Sequence, residues 1–336
     1  MGKRIEAFVL AFVPAVTLLF IQFAAMIVAA ICHIFKSITP ETAAMMANNP
    51  NYTNELISKL DLNELTAPVM LAYLIISFII ATIIFLAVLK KKPENPAKIL
   101  SFKSVVAIFI LGISCEMLST PLLSLIFTVF PKMAADYEKL MNMIGLDDIS
   151  ITVMLFVVIL GPIVEEMAFR GFTLILFKKS FKKFWIANLC QALLFGVFHG
   201  NVPQGIYAFI FGLVLGYLAE KYHSVFASIL CHITFNFMGS VIATLVFADE
   251  SKETLLTIVY FVLGILLLLT GFSFVKKDKM VLKRQAIAAS ENIAVEESNV
   301  VLGAQAQVYV PLSERIEIAN VINEDKDNDE TEGREE

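Results

Sequence analysis

Residues 165–170 read Glu-Glu-Met-Ala-Phe-Arg and place three charged side chains inside an apolar run from about residue 151 to residue 177. An ionisable side chain at the centre of a bilayer costs roughly 2.5–3.5 kcal/mol on insertion scales, so it persists where it faces protein and has partners. Residues four apart share one face of a helix, which places Glu166 and Arg170 for an ion pair. Glu165 lies about 100° round the helix from Glu166, so it is outside this ion pair and available to take part in a reaction.

The composition around this run excludes an ordinary soluble domain. Of the 336 residues, 58% are hydrophobic, only 17% are charged and 28 are Phe. Apolar segments near the ~20 residues needed to cross a ~30 Å hydrocarbon core indicate an all-α, polytopic membrane protein. They lie at about 5–35, 67–89, 104–131, 151–177, 185–200, 205–220, 225–247 and 254–275. We therefore predict about eight transmembrane helices embedded in the lipid bilayer, with no sign of nucleic-acid binding.

Lysine and arginine predict the orientation of these helices. If the N-terminus is cytoplasmic, the inner segments carry seventeen basic residues and the outer loops carry five. The excess of basic residues inside favours both termini in the cytoplasm. In a bacterium, such a protein would lie in the cell membrane.

The chain divides into three parts by composition. Residues 1–103 hold the first two predicted helices and their loops, and residues 104–284 hold the predicted catalytic core. Beyond Arg284 the sequence becomes polar and increasingly acidic. Such a composition cannot bury a core of its own, so residues 285–336 are predicted to form a disordered cytoplasmic tail.

Two apolar helices downstream of Arg170 carry polar stripes. One stripe consists of Asn188, Gln191, Phe195 and His199, and the other of Ser228, His232 and Asn236. Polar side chains facing lipid are penalised, so two stripes indicate a shared internal cavity. A single intramembrane histidine is more often a packing residue, and an ion pair on one helix is more often structural. Only the combination of the motifs indicates a catalytic site.

The three motifs together resemble a known family. Glu-Glu-x-x-x-Arg (Glu165, Glu166, Arg170), Phe-x-x-x-His (Phe195, His199) and His-x-x-x-Asn (His232, Asn236) occur in this order, each on its own apolar segment. This pattern is similar to that of the CAAX-protease and bacteriocin-processing family, which includes the type II CAAX prenyl endopeptidases. The resemblance covers about residues 104–250.

The resemblance implies an intramembrane endopeptidase that acts on a membrane-associated or prenylated peptide. It makes Glu165 the base that activates water, with His199 helping to orient that water. His232 and Asn236 would stabilise the oxyanion, while Glu166, Arg170 and Phe195 would support the site. Members of this family are often labelled metalloproteases, and Glu165, His199 and His232 could together hold zinc. We favour the mechanism without a metal, because no compact His-x-x-x-His pair lies on one helix.

Two other functions remain possible from the sequence. The ionisable residues could form a proton relay in a transporter, although the chain shows no repeated pair of broken helices. The motifs could also persist in an immunity or scaffold protein that only binds a partner. Neither the substrate, nor the organism, nor the oligomeric state can be read from the chain.

The depth of the predicted site raises a geometric problem. Glu165 lies roughly 21 Å from the outer end of its predicted helix, and His199 lies roughly 21 Å from the inner end of its own. These depths do not coincide in straight, upright helices. The sequence therefore predicts that the fifth helix begins within the basic stretch 178–184 or is strongly tilted.

Overall fold

The computed structural model describes residues 2–49, 52, 72–73, 75–83, 100–143, 154–243, 253–279 and 281–282. Every regular element in these ranges is helical, which confirms the all-α fold. Among the described residues, four helices are long and apolar enough to cross a membrane, and two shorter apolar helices accompany them. The chain is therefore a polytopic membrane protein. The second predicted segment, 67–89, is described only in part, and the tail 285–336 lies outside the described residues.

The N-terminal apolar run forms two helices that together make one candidate span. Helix α1 covers Gly2–Leu10 and helix α2 covers Val13–Ser37. The short helix α3, Pro40–Asn48, follows, and its first turn is closed by reciprocal hydrogen bonds between Thr39 and Thr42.

The core begins with α4, Phe102–Val129, and α5, Pro131–Met143. Ser101 and Ser104 cap the start of α4, because the Oγ of each accepts a hydrogen bond from the backbone N–H of the other. The last long helix, α11, covers Glu253–Lys276 and packs along α4. Its glycines allow this approach, because a Cβ at Gly271 would lie 2.7 Å from the side chain of Leu111.

The helix that carries the charged motif combines α-helical and π-helical turns. Within residues 154–180 it consists of a first π segment Phe156–Leu160, α6 Gly161–Ala168, a second π segment Phe169–Thr173 and α7 Leu174–Ser180. Single π turns inside α-helices occur frequently at functional sites. Both π segments border the turn that contains Glu165 and Glu166.

Two helices form a tight antiparallel hairpin beside this composite helix. Helix α8 covers Phe184–Phe198 and helix α9 covers Val202–Lys221. A Cβ at Gly196 would lie 2.6 Å from the carbonyl oxygen of Gly205, so small residues are required where the backbones meet.

Helix α10, Val225–Phe237, runs into a third π segment, Met238–Ala243. It packs against α4, where a Cβ at Gly112 would lie 2.7 Å from Cβ of Thr234. Helix α10 also contacts α6, and this contact brings the third sequence motif to the first.

One end of the bundle gathers several of the basic segments. Phe8 of α1 packs against Phe177 and Phe181, so the N-terminus lies at the end where α7 finishes. At the same end Lys178 pairs with Glu220. The basic residues near positions 3, 178 and 221 therefore lie at the same end of the bundle.

Candidate active site

Glu165 and His199 lie at matching depths because the composite helix and α8 form a hairpin. Glu165 is fifteen residues before the end of α7 at Ser180, and His199 is fifteen residues after the start of α8 at Phe184. At 1.5 Å per residue, both lie about 22 Å from the connecting turn. The structure therefore matches the first of the two alternatives, in which the fifth predicted helix begins within the stretch 178–184.

Glu166 joins the first and third motifs. Its Oε1 accepts hydrogen bonds from Nη1 of Arg170 at 2.6 Å and from Nδ1 of His232 at 2.8 Å. The predicted ion pair with Arg170 is present, and both side chains are buried. The contact with His232 was not predicted from the sequence, because it joins residues 66 positions apart.

His232 lies between the two adjacent carboxylates. Its Nδ1 must donate to Glu166, because an ionised carboxylate offers only acceptors. Its Nε2 then faces Glu165, with 3.9 Å between Nε2 and Oε2. This distance is longer than a direct hydrogen bond and is compatible with a bridging water. The side chain of Glu165 is 22% exposed, whereas that of Glu166 is fully buried.

His199 ends helix α8 and is oriented by its own helix. Its Nδ1 lies 2.7 Å from the carbonyl oxygen of Phe195 and must be the donor, which leaves Nε2 with a free lone pair. Its ring also meets the ring of Phe195 edge to face, and Phe195 in turn meets the ring of His232. Together with the bond between Glu166 and His232, these contacts bring the three motifs together.

Phe195 packs against this cluster through its aromatic ring. Its ring lies against the guanidinium of Arg170, with 4.4 Å between Cζ and the ring centroid, and it also meets the imidazoles of His199 and His232 edge to face. A desolvated guanidinium over an aromatic face is favourable. Phe195 therefore contacts one basic residue from each of the three motifs.

Asn236, the last residue of the third motif, contacts the helix that carries Glu165. Its Nδ2 donates to the carbonyl oxygen of Val157 at 2.7 Å, in the first π segment. The side chain is partly buried. One of its two amide hydrogens is thus engaged with the backbone.

The comparisons with known proteins agree with this geometry. Residues 148–238 match the family model described as type II CAAX prenyl endopeptidase Rce1-like. This segment of the chain is similar to the Rce1-like family. Searches of curated proteins and of solved structures find no match to the chain. The family resemblance seen in the sequence is thus confirmed over this segment, and the matched family is a family of membrane proteases.

Part of the polar stripe on α8 forms hydrogen bonds to a neighbouring helix of the matched segment. Asn188 Nδ2 donates to the carbonyl oxygen of Leu213 at 3.0 Å, and Gln191 Nε2 donates to that of Gly212 at 2.9 Å. Arg170 Nη2 donates to the same Gly212 oxygen at 3.2 Å. The prediction that this stripe lines a cavity is therefore wrong for Asn188 and Gln191, because their side-chain N–H groups donate to backbone carbonyls of the neighbouring helix α9.

Ser228 belongs to the second predicted stripe and is also engaged within its helix. Its Oγ donates to the carbonyl oxygen of Val225 at 2.9 Å in the first turn of α10. Glu116 on α4 is a further buried carboxyl group, and its Oε1 accepts a hydrogen bond from Thr120 at 2.8 Å. Glu116 therefore takes part in hydrogen bonding within α4, while Arg170 pairs with Glu166.

The three residues considered as zinc ligands do not form a metal site in this arrangement. Across the described ranges, no three acidic, imidazole or thiol side chains converge as ligands of one ion. Glu165, His199 and His232 are therefore not grouped as ligands of one ion. No catalytic step is therefore derived through a metal.

Proposed function

We propose that the chain is an intramembrane endopeptidase in which Glu165 activates the attacking water. The observation that carries this proposal is the pairing of two adjacent carboxylates with one imidazole. Glu166 holds Nδ1 of His232 at 2.8 Å, while Glu165 faces Nε2 at 3.9 Å. One carboxylate is thereby buried and committed to structure, and its neighbour is partly open and free to take a proton.

The attacking water is assigned to the space between Glu165, His199 and His232. A carboxylate accepts the first proton of that water, and the free Nε2 lone pair of His199 can accept a hydrogen bond from the second. The water oxygen is then held with a lone pair directed at a substrate carbonyl. Such positioning of the nucleophile and its base is a large part of catalysis by general bases.

The reaction follows from this arrangement. Glu165 removes a proton as the water oxygen bonds to the carbonyl carbon, and the carbonyl oxygen becomes an oxyanion. The tetrahedral intermediate collapses when the carbon–nitrogen bond breaks, and Glu165 returns its proton to the departing amine. Glu165 ends the cycle as a carboxylate, so no net change occurs in the protein.

Stabilisation of the oxyanion is assigned first to His232. Nδ1 of His232 is held by Glu166, and in the imidazolium form Nε2 carries a proton as well. Its Nε2–H would then point toward the reaction space and could donate to the oxyanion. The family resemblance implies the same role for Asn236, of which one amide hydrogen remains after its bond to Val157.

The substrate is proposed to be a membrane-associated peptide, prenylated in organisms that make prenylated CAAX proteins. The matched family carries this substrate in its description. In a bacterium, a bacteriocin or pheromone precursor would take its place. Both classes present a peptide bond close to a lipid surface, where a site about 22 Å along two membrane helices could receive it.

The first test replaces Glu165 with Gln and with Ala. Because Gln has a similar shape and cannot accept a proton, both variants should lose at least ~10²-fold in turnover while folding normally. Cleavage of an internally quenched farnesylated CAAX peptide in detergent measures turnover, and peptidomes of cells with and without active protein reveal native products. Glu220→Gln, which changes a partly exposed carboxylate at the end of the bundle, is the matched control.

The two ways in which this test can fail are distinct. Full activity in Glu165→Gln would show that another group is the base. Absence of cleavage by the native protein, together with identical peptidomes, would remove the endopeptidase function itself and favour partner binding.

A further inference from the structure

The first π segment leaves one backbone carbonyl without its helical donor. In a π-helix the N–H of residue i+5 donates to the carbonyl of residue i. Gly161 follows this rule and donates to the oxygen of Phe156. The next donor should be residue 162, bonding to Val157, but residue 162 is proline and has no N–H. The carbonyl of Val157 therefore receives neither the α-type bond from Gly161 nor the π-type bond from Pro162.

Asn236 supplies the missing donor. Its Nδ2 lies 2.7 Å from the Val157 oxygen and reaches it from helix α10. In the apolar interior of a membrane protein, a carbonyl without a partner is strongly unfavourable. Pro162 and Asn236 are thus complementary, since the proline removes a backbone donor and the asparagine replaces it from the neighbouring helix.

We infer that Asn236 is a positioning residue, which holds α10 against the Glu165 helix through the carbonyl that Pro162 leaves open. This inference rests on the proposed function and adds a task to the oxyanion stabilisation that the resemblance implies for Asn236. Asn236 lies one turn beyond His232, so both project from the same face of α10. The helix is then fixed to the Glu165 helix at two points, by Asn236 at Val157 and by His232 at Glu166.

Two attachment points define the separation between the base and the imidazole. Glu166 is adjacent to Glu165, and Val157 lies two turns earlier on the same composite helix. Loss of the Val157 bond would let α10 shift or tilt about the remaining contact at Glu166. The 3.9 Å gap between Glu165 and His232 would change as a result, and with it the place of the attacking water.

A double variant tests this inference. Asn236→Ala should lower turnover by ~10²-fold, because a displacement near 1 Å at a reacting centre costs about that much. Pro162→Ala restores an N–H at residue 162, in the place from which a π turn bonds Val157. Adding Pro162→Ala to Asn236→Ala should therefore recover at least ~10-fold of the lost turnover, without any side chain at position 236 that could reach an oxyanion. Turnover is measured with the quenched farnesylated CAAX peptide.

The matched control uses another proline inside a membrane helix. Pro121 lies within α4, and Pro121→Ala restores an N–H that cannot reach Val157. Combined with Asn236→Ala, it should recover no turnover. The melting temperature of each purified variant is recorded as well, since it reports the repaired bond even if the farnesylated peptide is not cut.

Each outcome of the experiment decides the question. Recovery of both melting temperature and turnover by Pro162→Ala supports the positioning role. Recovery of the melting temperature alone, in protein that cuts the peptide, would show that Asn236 affects turnover through its own side chain and not through the position of α10, and would overturn the inference. No recovery of melting temperature would overturn it too. If the native protein cuts nothing, the melting temperatures still test the Val157 bond, while the proposed function fails separately.

Discussion

At the scale of single residues, Glu165 and Glu166 are chemically identical neighbours with different environments. Glu166 is fully buried and shares one oxygen between Arg170 and His232, whereas Glu165 is partly open. The helical rotation of about 100° between adjacent residues produces this difference. One carboxylate is thereby available to exchange protons while its neighbour holds the geometry.

Replacing Glu166 should reduce folding before it affects chemistry. Glu166→Ala leaves the buried guanidinium of Arg170 without its partner, and breaking a buried ion pair in this way costs about 3–5 kcal/mol. We expect a marked fall in the yield of monodisperse protein in detergent and in its melting temperature. Glu220→Ala breaks the more exposed pair with Lys178, worth about 0–1 kcal/mol, and should change little. Normal yield with Glu166→Ala would show that Arg170 finds another partner.

Zinc content can be measured directly, and the histidine contacts make the result informative. His199 and His232 both have Nδ1 engaged, by a carbonyl and a carboxylate, so only their Nε2 atoms could bind an ion. We expect less than one equivalent of zinc in the purified protein, and activity that survives a chelator. One equivalent of zinc that disappears in His199→Ala, with activity restored by added zinc, would contradict the glutamate mechanism.

The sequence predicted the local contacts of this site better than the distant ones. The Glu166–Arg170 pair follows from a spacing of four residues on a helix, and this spacing can be read directly from the sequence. The Glu166–His232 bond spans 66 positions, and no periodicity indicates which helices pack together. The motif resemblance grouped these residues by function, but it did not assign His232 to Glu166 or Asn236 to Val157.

At the scale of secondary structure, apolar length located the helices well. The segments expected at 185–200, 205–220 and 254–275 agree within three residues with α8, α9 and α11. The π segments could not be predicted, because an apolar stretch fits a slightly wider helix as easily as an α-helix. Gly161 and Pro162 mark where the first π segment returns to α-helix.

Close packing of α8 on α9 gives a prediction for Gly216. A Cβ at this position would lie 1.9 Å from Oδ1 of Asn188, which is far too close for any side-chain adjustment to be cheap. Gly216→Ala should therefore destabilise the protein by about 1–3 kcal/mol. Melting in detergent measures the loss. Gly2→Ala, where a Cβ would meet nothing within 4 Å, is the control and should leave the melting temperature unchanged.

At the scale of the whole molecule, the structure groups basic segments that the chain separates widely. Phe8 meets Phe177, Lys178 pairs with Glu220, and Tyr222 donates to Asp278 at 2.8 Å. The first helix, the α7–α8 turn, the α9–α10 turn and the end of α11 therefore share one end of the bundle. An excess of lysine and arginine at one end favours that end as the cytoplasmic one.

The orientation and the C-terminal tail can be tested together. The basic end predicts that residues 276–284 and everything beyond them are cytoplasmic, and the polar, acidic composition of 285–336 cannot form a packed core. Truncation after Arg284 should thus leave insertion and cleavage nearly unchanged, because it keeps the basic residues that anchor the last helix. Protease added to sealed inside-out vesicles should remove an epitope at Glu336, and protease outside intact cells should not. Removal of the epitope from outside would reverse the topology, and substrates would then have to enter from the opposite leaflet.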